Sequence, residues 1–430
     1  MASALTRLHA RAGRRVTAFK CGPDFLDPHW LGLASGRAAH NLDLWMTGEA
    51  DVRARLRAAA EVSDLIVVEG VMGLYDGEPS AADLAQRLGL PVLCVIDAGA
   101  MAGTFGALAY GLQHYRPDMP WAGVLANRVA GERHADMLRT SLAGSPFASA
   151  GADDQWLGAV MRNPAFSLPE RHLGLTVASE MPDALQRLDA AADALATTPL
   201  GRMDTAALTR WAMHFGGADD QPPEVPKLLS GRTVAIARDA AFCFVYPANL
   251  DTLVSLGARL TYFSPLANEP VPPCDAVWLP GGYPELHAAA LAQASATRDS
   301  LKAHVAANRP VWAECGGMMV LFDGLIDGDG IRHALWGVLP GAVHMQQRLA
   351  GLGPQHLALP GGDLRGHTFH YSRCETALVP VTHTVSPLAD RVGASEAVYG
   401  VGSVRASYFH AWFASGPRAA ASLFLREPSA

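Results

Sequence analysis

The sequence predicts an α/β protein built from two doubly wound domains, and three observations support this prediction. Short β-branched runs alternate with helix-like patterns from residue 63 onward, as expected where crossover helices cover a parallel sheet. The alternation stops in a stretch rich in Gly, Asp and Pro at 216–231 and then restarts. The chain has 430 residues, of which 50% are hydrophobic, so it is long and apolar enough for two or three cores.

The first domain is predicted over 1–215, and its sheet comes from four apolar runs. Between these runs, segments such as "AADLAQRLGL" place apolar residues three and four positions apart, which favours helices covering a sheet. The strand-like runs are "DLIVVEG" (64–70), "PVLCVIDA" (91–98), "AGVLANRV" (122–129) and "WLGAV" (156–160).

The segment "GGADDQPPEVPKLLSG" (216–231) has no periodicity and is predicted to be a linker. The second domain, predicted over 232–430, restarts the alternation and places a helix after Pro247. Its strand-like runs are "TVAIARD", "RLTYFSP", "DAVWLPGG" and "PVWAEC".

Composition excludes several classes of protein. The 34 Lys and Arg do not cluster, and with 41 Asp and Glu the net charge is -7, so the chain lacks the basic face of a nucleic-acid binder. Six scattered cysteines without a CxxC pair indicate a reducing, cytoplasmic compartment and no zinc site. Apolar runs are too short to cross a membrane, and the Arg-rich start lacks the apolar centre of a secretion signal.

A lone cysteine, Cys315, separates the apolar run "PVWA" from Gly316 and Gly317. At such a strand-to-helix junction the first backbone N–H groups of the helix are unpaired, and a helix N-terminus favours the thiolate form. The amide of Gly316 can donate to a developing oxyanion. The pattern therefore predicts a nucleophile, and the alternative is a small buried cysteine beside a tight turn.

Two further features complete a cysteine acyl-transfer site. "LPGGYPEL" (279–286) has the same strand-to-glycine form, so the amides at Gly281 and Gly282 can supply the other half of an oxyanion hole, although a simple glycine turn is the alternative. The base must be a histidine, and a structural role is the alternative for each one. "VRASYFHAWF" (404–413) is interpreted as a strand running into a short turn, which places one of them, His410, near a strand end. The candidates are His344, His367, His370 and His410.

Carboxylates mark two segments of the first domain. In "FKCGPDFLDPHW" (19–30), Asp24 and Asp27 are suited to hold Mg²⁺ or to orient a ligand, with an Asp/Pro turn as the alternative. In "VVEGVMGLYDG" (67–77), Glu69 ends an apolar strand and Asp76 follows a glycine loop. An ionised carboxylate in such a strand needs a partner such as a metal or a phosphate-bound metal, unless Glu69 is exposed at the sheet edge.

The segments "LPGGYPEL", "ECGGMMVL", "GHTFHYS" (366–372) and "ASYFHAWF", in this order, resemble the class I glutamine amidotransferase domain of the cobyrinic acid a,c-diamide synthase family, also called hydrogenobyrinic acid a,c-diamide synthase. The resemblance implies that Cys315 attacks glutamine to release ammonia and that His410 is its base. Most class I glutaminases carry a Glu two residues after this His. The cobalamin-type branch, which this sequence resembles, lacks that Glu, and the position is Trp412 here. What orients the imidazole stays open.

The first domain resembles the P-loop NTPase-like, dethiobiotin-synthetase-like domain of the same family, and "NLDLWM" (41–46) and "LPERHLGL" (168–175) match it too. The resemblance implies ATP and Mg²⁺ as cofactors, with a corrinoid acid and L-glutamine as further substrates; a homodimer stays open. The implied metal residues are Asp27, Glu69 and Asp76; the corrinoid carboxylate residues are Asp24, Phe25 and Leu26; Lys20 faces phosphate and Asn127 adenine.

The Gly-Lys-Thr phosphate loop of such domains does not occur in "MASALTRLHARAGRRVTAFK", which resembles the helix that normally follows the loop. We expect the recorded start to lie downstream of the true one, and a chain without the loop and its first, usually central, strand to show weak or no ATP-dependent activity.

The expected reaction is phosphorylation of a corrin carboxylate by ATP, followed by displacement of phosphate by ammonia, first on one and then on the other of the a and c carboxylates. Alternatives within the same architecture are cobyric acid synthase and nickel-sirohydrochlorin a,c-diamide synthase. An inactive, ligand-binding relic is the alternative from another class.

Overall fold

The structure is a computed structural model that describes residues 1–143, 155–168, 170–171, 174–175, 178–215, 225–387 and 395–426. Parts of "LPERHLGL" and of the predicted linker lie outside the described residues. The chain divides into two compact units: residues 1–44 with 49–222, and residues 45–48 with 223–430. Among the described residues, no helix is both long and apolar enough to span a membrane.

The first unit begins with a helix, as the sequence predicts, and continues into a three-stranded parallel sheet of order β2-β1-β3. Its strands are β1 (Val16–Cys21), β2 (His40–Leu42) and β3 (Leu65–Glu69). Its helices are α1 (Ala2–Arg11), α2 (Asp27–Ser35) and α3 (Glu49–Val62). A π-helical turn spans Leu44–Gly48, of which residues 45–48 are grouped with the second unit.

A second three-stranded parallel sheet, of order β4-β5-β6, lies in the same unit. Its strands β4 (Val92–Asp97), β5 (Trp121–Val129) and β6 (Trp156–Met161) confirm three predicted runs. Helices here are α4 (Ala81–Leu88), α5 (Thr104–His114), α6 (Glu132–Ala143), α7 (Ala184–Ala196) and α8 (Thr205–Leu208); β7 (Glu170–Arg171) and β8 (Gly174–Leu175) form a short hairpin.

The strands of this unit do not form the one sheet that the sequence predicts. β3 and β4 share no backbone ladder, so six parallel strands are split into two sheets. The alternation of strands and helices predicts parallel pairing correctly, but strand order depends on which edges meet, which a local pattern does not contain.

The second unit is organised by a seven-stranded sheet of order β10-β9-β11-β12-β21-β20-β19. Its first five strands are parallel, and β20 and β19 add antiparallel strands at one edge. The strands are β9 (Thr233–Ala237), β10 (Arg259–Phe263), β11 (Ala276–Leu279), β12 (Val311–Glu314), β19 (Thr382–His383), β20 (Ala397–Val401) and β21 (Val404–Ser407).

Two smaller sheets follow the glycine-rich turn after β12, with orders β14-β13-β15-β18 and β16-β17-β22. The strands are β13 (Phe322–Ile326), β14 (Arg332–Ala334), β15 (Leu339–Met345), β16 (Gly351–Leu359), β17 (Gly362–His370), β18 (Ser372–Glu375) and β22 (His410–Ala411). The helices of this unit are α9 (Pro247–Ser255), α10 (Ala288–Gln293), α11 (Ser295–Ala306), α12 (Gly316–Met319) and α13 (Pro417–Ser422).

Both faces of the seven-stranded sheet are covered. Along β11, Val277 and Leu279 pack into one apolar cluster, while Ala276 and Trp278 pack into another. Because successive side chains of a strand point to opposite faces, this division shows that the sheet lies between two hydrophobic layers. The parallel strand ends of this buried sheet provide a rigid support for the residues that follow them.

Candidate active site

Cys315 lies on a sharp turn at the end of β12, directly before the single turn of α12. Its φ is 45°, a left-handed conformation that costs a residue with a Cβ about 1–3 kcal/mol. The Cys315 N–H donates to the carbonyl of Ser407 at 2.7 Å, and Ser407 pairs with Glu314 in the sheet. The strained elbow is therefore fixed by the neighbouring strand β21.

The two predicted glycine loops lie side by side. A Cβ placed on Gly316 would lie 3.0 Å from the backbone nitrogen of Gly282 and 2.8 Å from Pro284 Cδ. A Cβ on Gly281 would lie 2.5 Å from Cε1 of His410. Only glycine permits these approaches, so the structure brings Gly281, Gly282, Gly316 and His410 together around the cysteine turn.

The Cys315 thiol is not activated by its surroundings. Burial raises its pKa far above the ordinary value, the charge of Glu285 raises it further, and the Gly316 N–H lowers it only in part. The expected lowering by a helix N-terminus is therefore wrong, because α12 is only four residues long and burial opposes the charged form. The resting sulfur is a thiol, and it needs a base to become a nucleophile.

His410 lies at the first residue of β22, beside the cysteine turn. The segment predicted as one strand and a turn is two strands: β21 belongs to the large sheet, and β22 pairs with β17 in another. The ring of His410 is 1% exposed. Burial, together with the nearby His367 and His370, lowers its pKa well below the ordinary value. The imidazole is therefore neutral, and one of its ring nitrogens can accept a proton.

A second buried imidazole, that of His367, stacks on His410. The ring centroids are 5.0 Å apart and the planes differ by 18°, and the residues pair directly across β17 and β22. His367 Nδ1 lies 3.2 Å from the Tyr246 hydroxyl. Burial lowers the pKa of His367 to about 3, so both stacked rings are neutral at physiological pH.

The other two candidate histidines have different surroundings. His370 Nε2 lies 3.0 Å from Glu396 Oε1, and its ring stacks on Tyr408 at 3.7 Å, within the buried layer next to the cysteine turn. His344 is 39% exposed and pairs with Glu375 at 3.0 Å. The structure therefore gathers three of the four candidates and leaves His344 apart.

Sequence reasoning missed two acids near Cys315. Burial raises the pKa of Glu314 to about 8 although Trp312 Nε1 donates to it at 2.6 Å, and burial raises the pKa of Glu285 to about 7. The signal for Glu314 was present, because an acid inside the apolar run "PVWAEC" needs a partner as much as Glu69 does. Glu285 gave no comparable signal.

In the first unit, Lys20 lies at the centre of the predicted acidic group. Its Nζ is 2.5 Å from Asp27 Oδ2 and 3.9 Å from Glu69 Oε2, and it donates to the Gly70 carbonyl at 2.7 Å. Burial lowers the pKa of this ammonium, but Glu69 and Asp27 outweigh burial and raise it. Lys20 is directly opposite Glu69 in the ladder of β1 and β3, so the strand register creates the pair.

The loop between β1 and α2 is held by Asp24. Its Oδ1 accepts hydrogen bonds from Leu26 N at 2.6 Å and Asp27 N at 3.1 Å, and Asn41 Nδ2 donates to its carbonyl at 2.7 Å. Burial and the neighbouring Asp27 raise the pKa of Asp24. Phe25 is half-buried and Leu26 is buried. Asp24 thus forms an Asp turn, and a further role toward a ligand stays a prediction.

Asp76 lies in the exposed loop after β3, where its Oδ2 accepts from Gly73 N at 3.0 Å. The contacts of Asp27 and Glu69 run to Lys20, and Asp76 does not share them. Within the described ranges, no group of three or more His, Cys, Asp or Glu side chains is arranged to hold a metal ion. These carboxylates alone therefore do not form a closed metal site.

Asn127 lies near the end of β5, opposite Asp97, the last residue of β4. Its Oδ1 accepts from the N–H of Arg128, whose guanidinium pairs with Asp97 at 3.2 Å. A cavity of about 650 Å³ opens here, lined by Asp97, Arg128 and Arg162 among others. Sequence reasoning missed both arginines, although Arg128 lies within the predicted run 122–129 and Arg162 closely follows the run 156–160.

Comparison with known proteins divides the chain in a similar way to its two compact units. Residues 1–175 match the family described as CobQ/CobB/MinD/ParA nucleotide binding domain, and residues 233–418 match the CobB/CobQ-like glutamine amidotransferase domain. The chain is 50% identical over 424 residues to a hydrogenobyrinate a,c-diamide synthase of Pseudomonas aeruginosa, covering 98% of this chain and 93% of that protein.

Two further relatives also match over nearly their whole length. A hydrogenobyrinate a,c-diamide synthase of Stutzerimonas stutzeri is 50% identical over 98% of this chain and 94% of its own. A cobyrinate a,c-diamide synthase of Herminiimonas arsenicoxydans is 46% identical over 99% of this chain and 93% of its own. With the cysteine elbow, the paired glycine loops and this similarity along nearly the whole chain, the protein belongs to the hydrogenobyrinate and cobyrinate a,c-diamide synthase family.

Proposed function

We propose that this protein amidates the a and c carboxylates of hydrogenobyrinic or cobyrinic acid, with ATP to activate the carboxylate and glutamine to supply the nitrogen. The observation that carries the proposal is the strained turn at Cys315, packed between two glycine loops and beside the buried neutral His410. The names of the relatives supply the substrate class.

The glutaminase half-reaction follows from the protonation states. His410 takes the proton of the Cys315 thiol, and the sulfur then attacks the side-chain amide carbon of glutamine. The backbone N–H groups of Gly282 and Gly316 donate to the oxyanion that develops. The amide nitrogen leaves as ammonia with the proton from His410, and water cleaves the thioester to give glutamate and the thiol.

The synthetase half-reaction makes the carboxylate a usable acyl donor. Transfer of the terminal phosphoryl group of ATP to a corrinoid carboxylate gives a mixed anhydride, and ammonia displaces phosphate from it. Lys20 and Asn127 are proposed to face the nucleotide, and Asp24, Phe25 and Leu26 the corrinoid carboxylate. The carboxylates of Asp27 and Glu69, with Asp76 as a further candidate, offer the oxygen donors that Mg²⁺ prefers. Because Lys20 already shares Asp27 and Glu69, we propose that such an ion is held together with nucleotide phosphate, whose charge it would neutralise.

The test separates the candidate substrates. The protein is given ATP, Mg²⁺, glutamine and one tetrapyrrole acid at a time. We expect a,c-diamide from hydrogenobyrinic or cobyrinic acid and glutamate in equal amount to the amide formed. Turnover of only nickel-sirohydrochlorin, or of only the a,c-diamide as in cobyric acid synthesis, would contradict the proposal. Absence of glutamate in every incubation would indicate an inactive, ligand-binding relic.

A further inference from the structure

The position that orients the histidine in most class I glutaminases holds an apolar ring in this chain. Trp412, two residues after His410, is fully buried, and its ring packs on that of Tyr246 at a centroid distance of 4.9 Å. An indole cannot accept a hydrogen bond from an imidazole N–H. The strand of His410 therefore does not supply the acid that fixes the ring.

A carboxylate reaches His410 from the neighbouring strand. Glu314 Oε2 lies 4.0 Å from His410 Nδ1, and the two residues are each 1% exposed. Glu314 is the last residue of β12, so its side chain and the Cys315 turn are carried by one rigid element. Catalytic hydrogen bonds are often long before substrate binds, and this separation needs a shift of only about 1 Å to close.

The Glu314 side chain is itself held in place. Trp312 Nε1 donates to Oε1 at 2.6 Å, and the Ala411 N–H, one residue after His410, also lowers its pKa as a hydrogen-bond donor. The Trp312 bond is made to Oε1, whereas Oε2 is the oxygen that lies 4.0 Å from His410 Nδ1. The carboxyl group is therefore oriented before substrate binds.

We propose that Glu314 is the positioning residue that orients His410 and stabilises the imidazolium formed when Cys315 gives up its proton. The inference rests on the proposed glutaminase function and deepens it, because it names the group that replaces the acid missing at Trp412. Nδ1–H of His410 donates to Glu314, which leaves Nε2 to accept the thiol proton.

Other groups that face this site have different partners. Glu396 accepts from Thr368 Oγ1 at 2.8 Å and lies 3.0 Å from His370 Nε2. His367 stacks flat on His410, an arrangement that places ring faces rather than an acceptor against it. Glu285 acts on the Cys315 thiol. Glu314 is thus the described carboxylate whose geometry is directed at His410 Nδ1.

The test compares Glu314→Gln with Glu375→Gln in the full chain. Glu375 pairs with His344 at 3.0 Å but is 81% exposed, so it is a matched surface acid-histidine pair. We expect Glu314→Gln to lower kcat for glutamine hydrolysis about 10- to 100-fold with KM within twofold, since a neutral amide cannot stabilise the imidazolium. Glu375→Gln should match the wild type, and Glu314→Asp should recover part of the rate.

A pH profile separates positioning from a merely structural role. Wild-type kcat should rise through a limb near pH 8 as Glu314 ionises, and Glu314→Gln should lack that limb. Glu285, Glu396, His367 and His370 face the site in both proteins, so the difference between the profiles isolates Glu314. The circular dichroism spectrum of Glu314→Gln should match that of the wild type, and its thermal midpoint should be at least as high.

The outcomes distinguish this inference from the proposed function. In one outcome, the wild type hydrolyses glutamine and Cys315→Ala does not. In that case, an unchanged kcat in Glu314→Gln, or a limb near pH 8 that this variant retains, would overturn the positioning role alone. A change in KM without a change in kcat would overturn it as well. A wild type without any glutaminase activity would overturn both.

Discussion

Gly316 faces Gly282 so closely that a Cβ on Gly316 would lie 3.0 Å from both N and O of Gly282. The two glycines come from loops that follow different strands, β11 and β12, which are neighbours in the seven-stranded sheet. The loops that follow neighbouring parallel strands lie at the same edge of the sheet, so the two proposed oxyanion donors meet because of the strand order. The site is a product of topology more than of either motif alone.

Replacement of Gly316 by Ala should abolish most glutaminase activity. The added methyl group would meet Pro284 Cδ at 2.8 Å and would push the two loops apart, so that the oxyanion loses a donor, which costs about 100- to 1,000-fold in kcat. Gly328→Ala is the matched control, because a Cβ there has nothing within 4 Å. Steady-state release of glutamate measures both, and equal rates for the two variants would refute the loop arrangement.

Replacement of Glu285 by Gln should make Cys315 more reactive, but only at higher pH. The charge of Glu285 raises the pKa of the Cys315 thiol, and Glu285 itself ionises at about pH 7. Alkylation of Cys315 by iodoacetamide, followed by mass spectrometry, should therefore be several-fold faster in the variant above pH 8 and equal to the wild type below pH 6. If the ratio of the alkylation rates of variant and wild type were the same at every pH, the charge of Glu285 would not be the cause of the difference.

Glu314 should make the wild type less stable as pH rises. Its pKa is raised from 4.5 to about 8, so the stability it contributes is fully present below pH 4.5 and is lost as pH rises through 8. Relative to Glu314→Gln, the wild type should lose about 3–5 kcal/mol of unfolding free energy between pH 5 and pH 9. Denaturant unfolding of both proteins at the two pH values measures this difference, and parallel curves would contradict it.

Lys20→Met should strongly destabilise the first unit. The change would leave Asp27 and Glu69 without their shared ammonium, and removal of one partner from a buried pair costs about 3–5 kcal/mol. Arg15→Met is the control, since the Arg15 guanidinium and its partner Asp64 are both exposed and such surface pairs contribute little to stability. The thermal midpoints of the two variants measure this difference. Adding Asp27→Asn to Lys20→Met should restore part of the stability that Lys20→Met loses.

The sequence predicted the fold class and the loops that form the candidate site because those features are local. Cys315, Gly282 and Gly316 stand beside apolar runs that become β11 and β12, and Glu69 ends the run that becomes β3. The thiol pKa was predicted wrongly because burial depends on side chains from the whole domain. The split between β3 and β4 and the bend between β21 and β22 depend on strand order, which local patterns do not contain.

Glu314 is a partner of His410 that the sequence alone did not reveal. The pattern of most class I glutaminases indicates position 412, where this chain has Trp412, whereas the carboxylate of Glu314 comes from a residue 96 positions before His410 in the chain. Strand pairing of Glu314 with Ser407 brings it near, and this pairing is visible only in the folded sheet.

The central claim is that Cys315 makes the ammonia used to amidate a carboxylate that is activated elsewhere in the same protein. The most direct measurement is product formation by Cys315→Ala with hydrogenobyrinic acid, ATP and Mg²⁺, with either glutamine or ammonium chloride as the nitrogen source. We expect no a,c-diamide from glutamine and a wild-type yield from ammonium chloride. Amidation from glutamine by Cys315→Ala at the wild-type rate, or failure of ammonium chloride to support product in Cys315→Ala while it supports product in the wild type, would contradict the account.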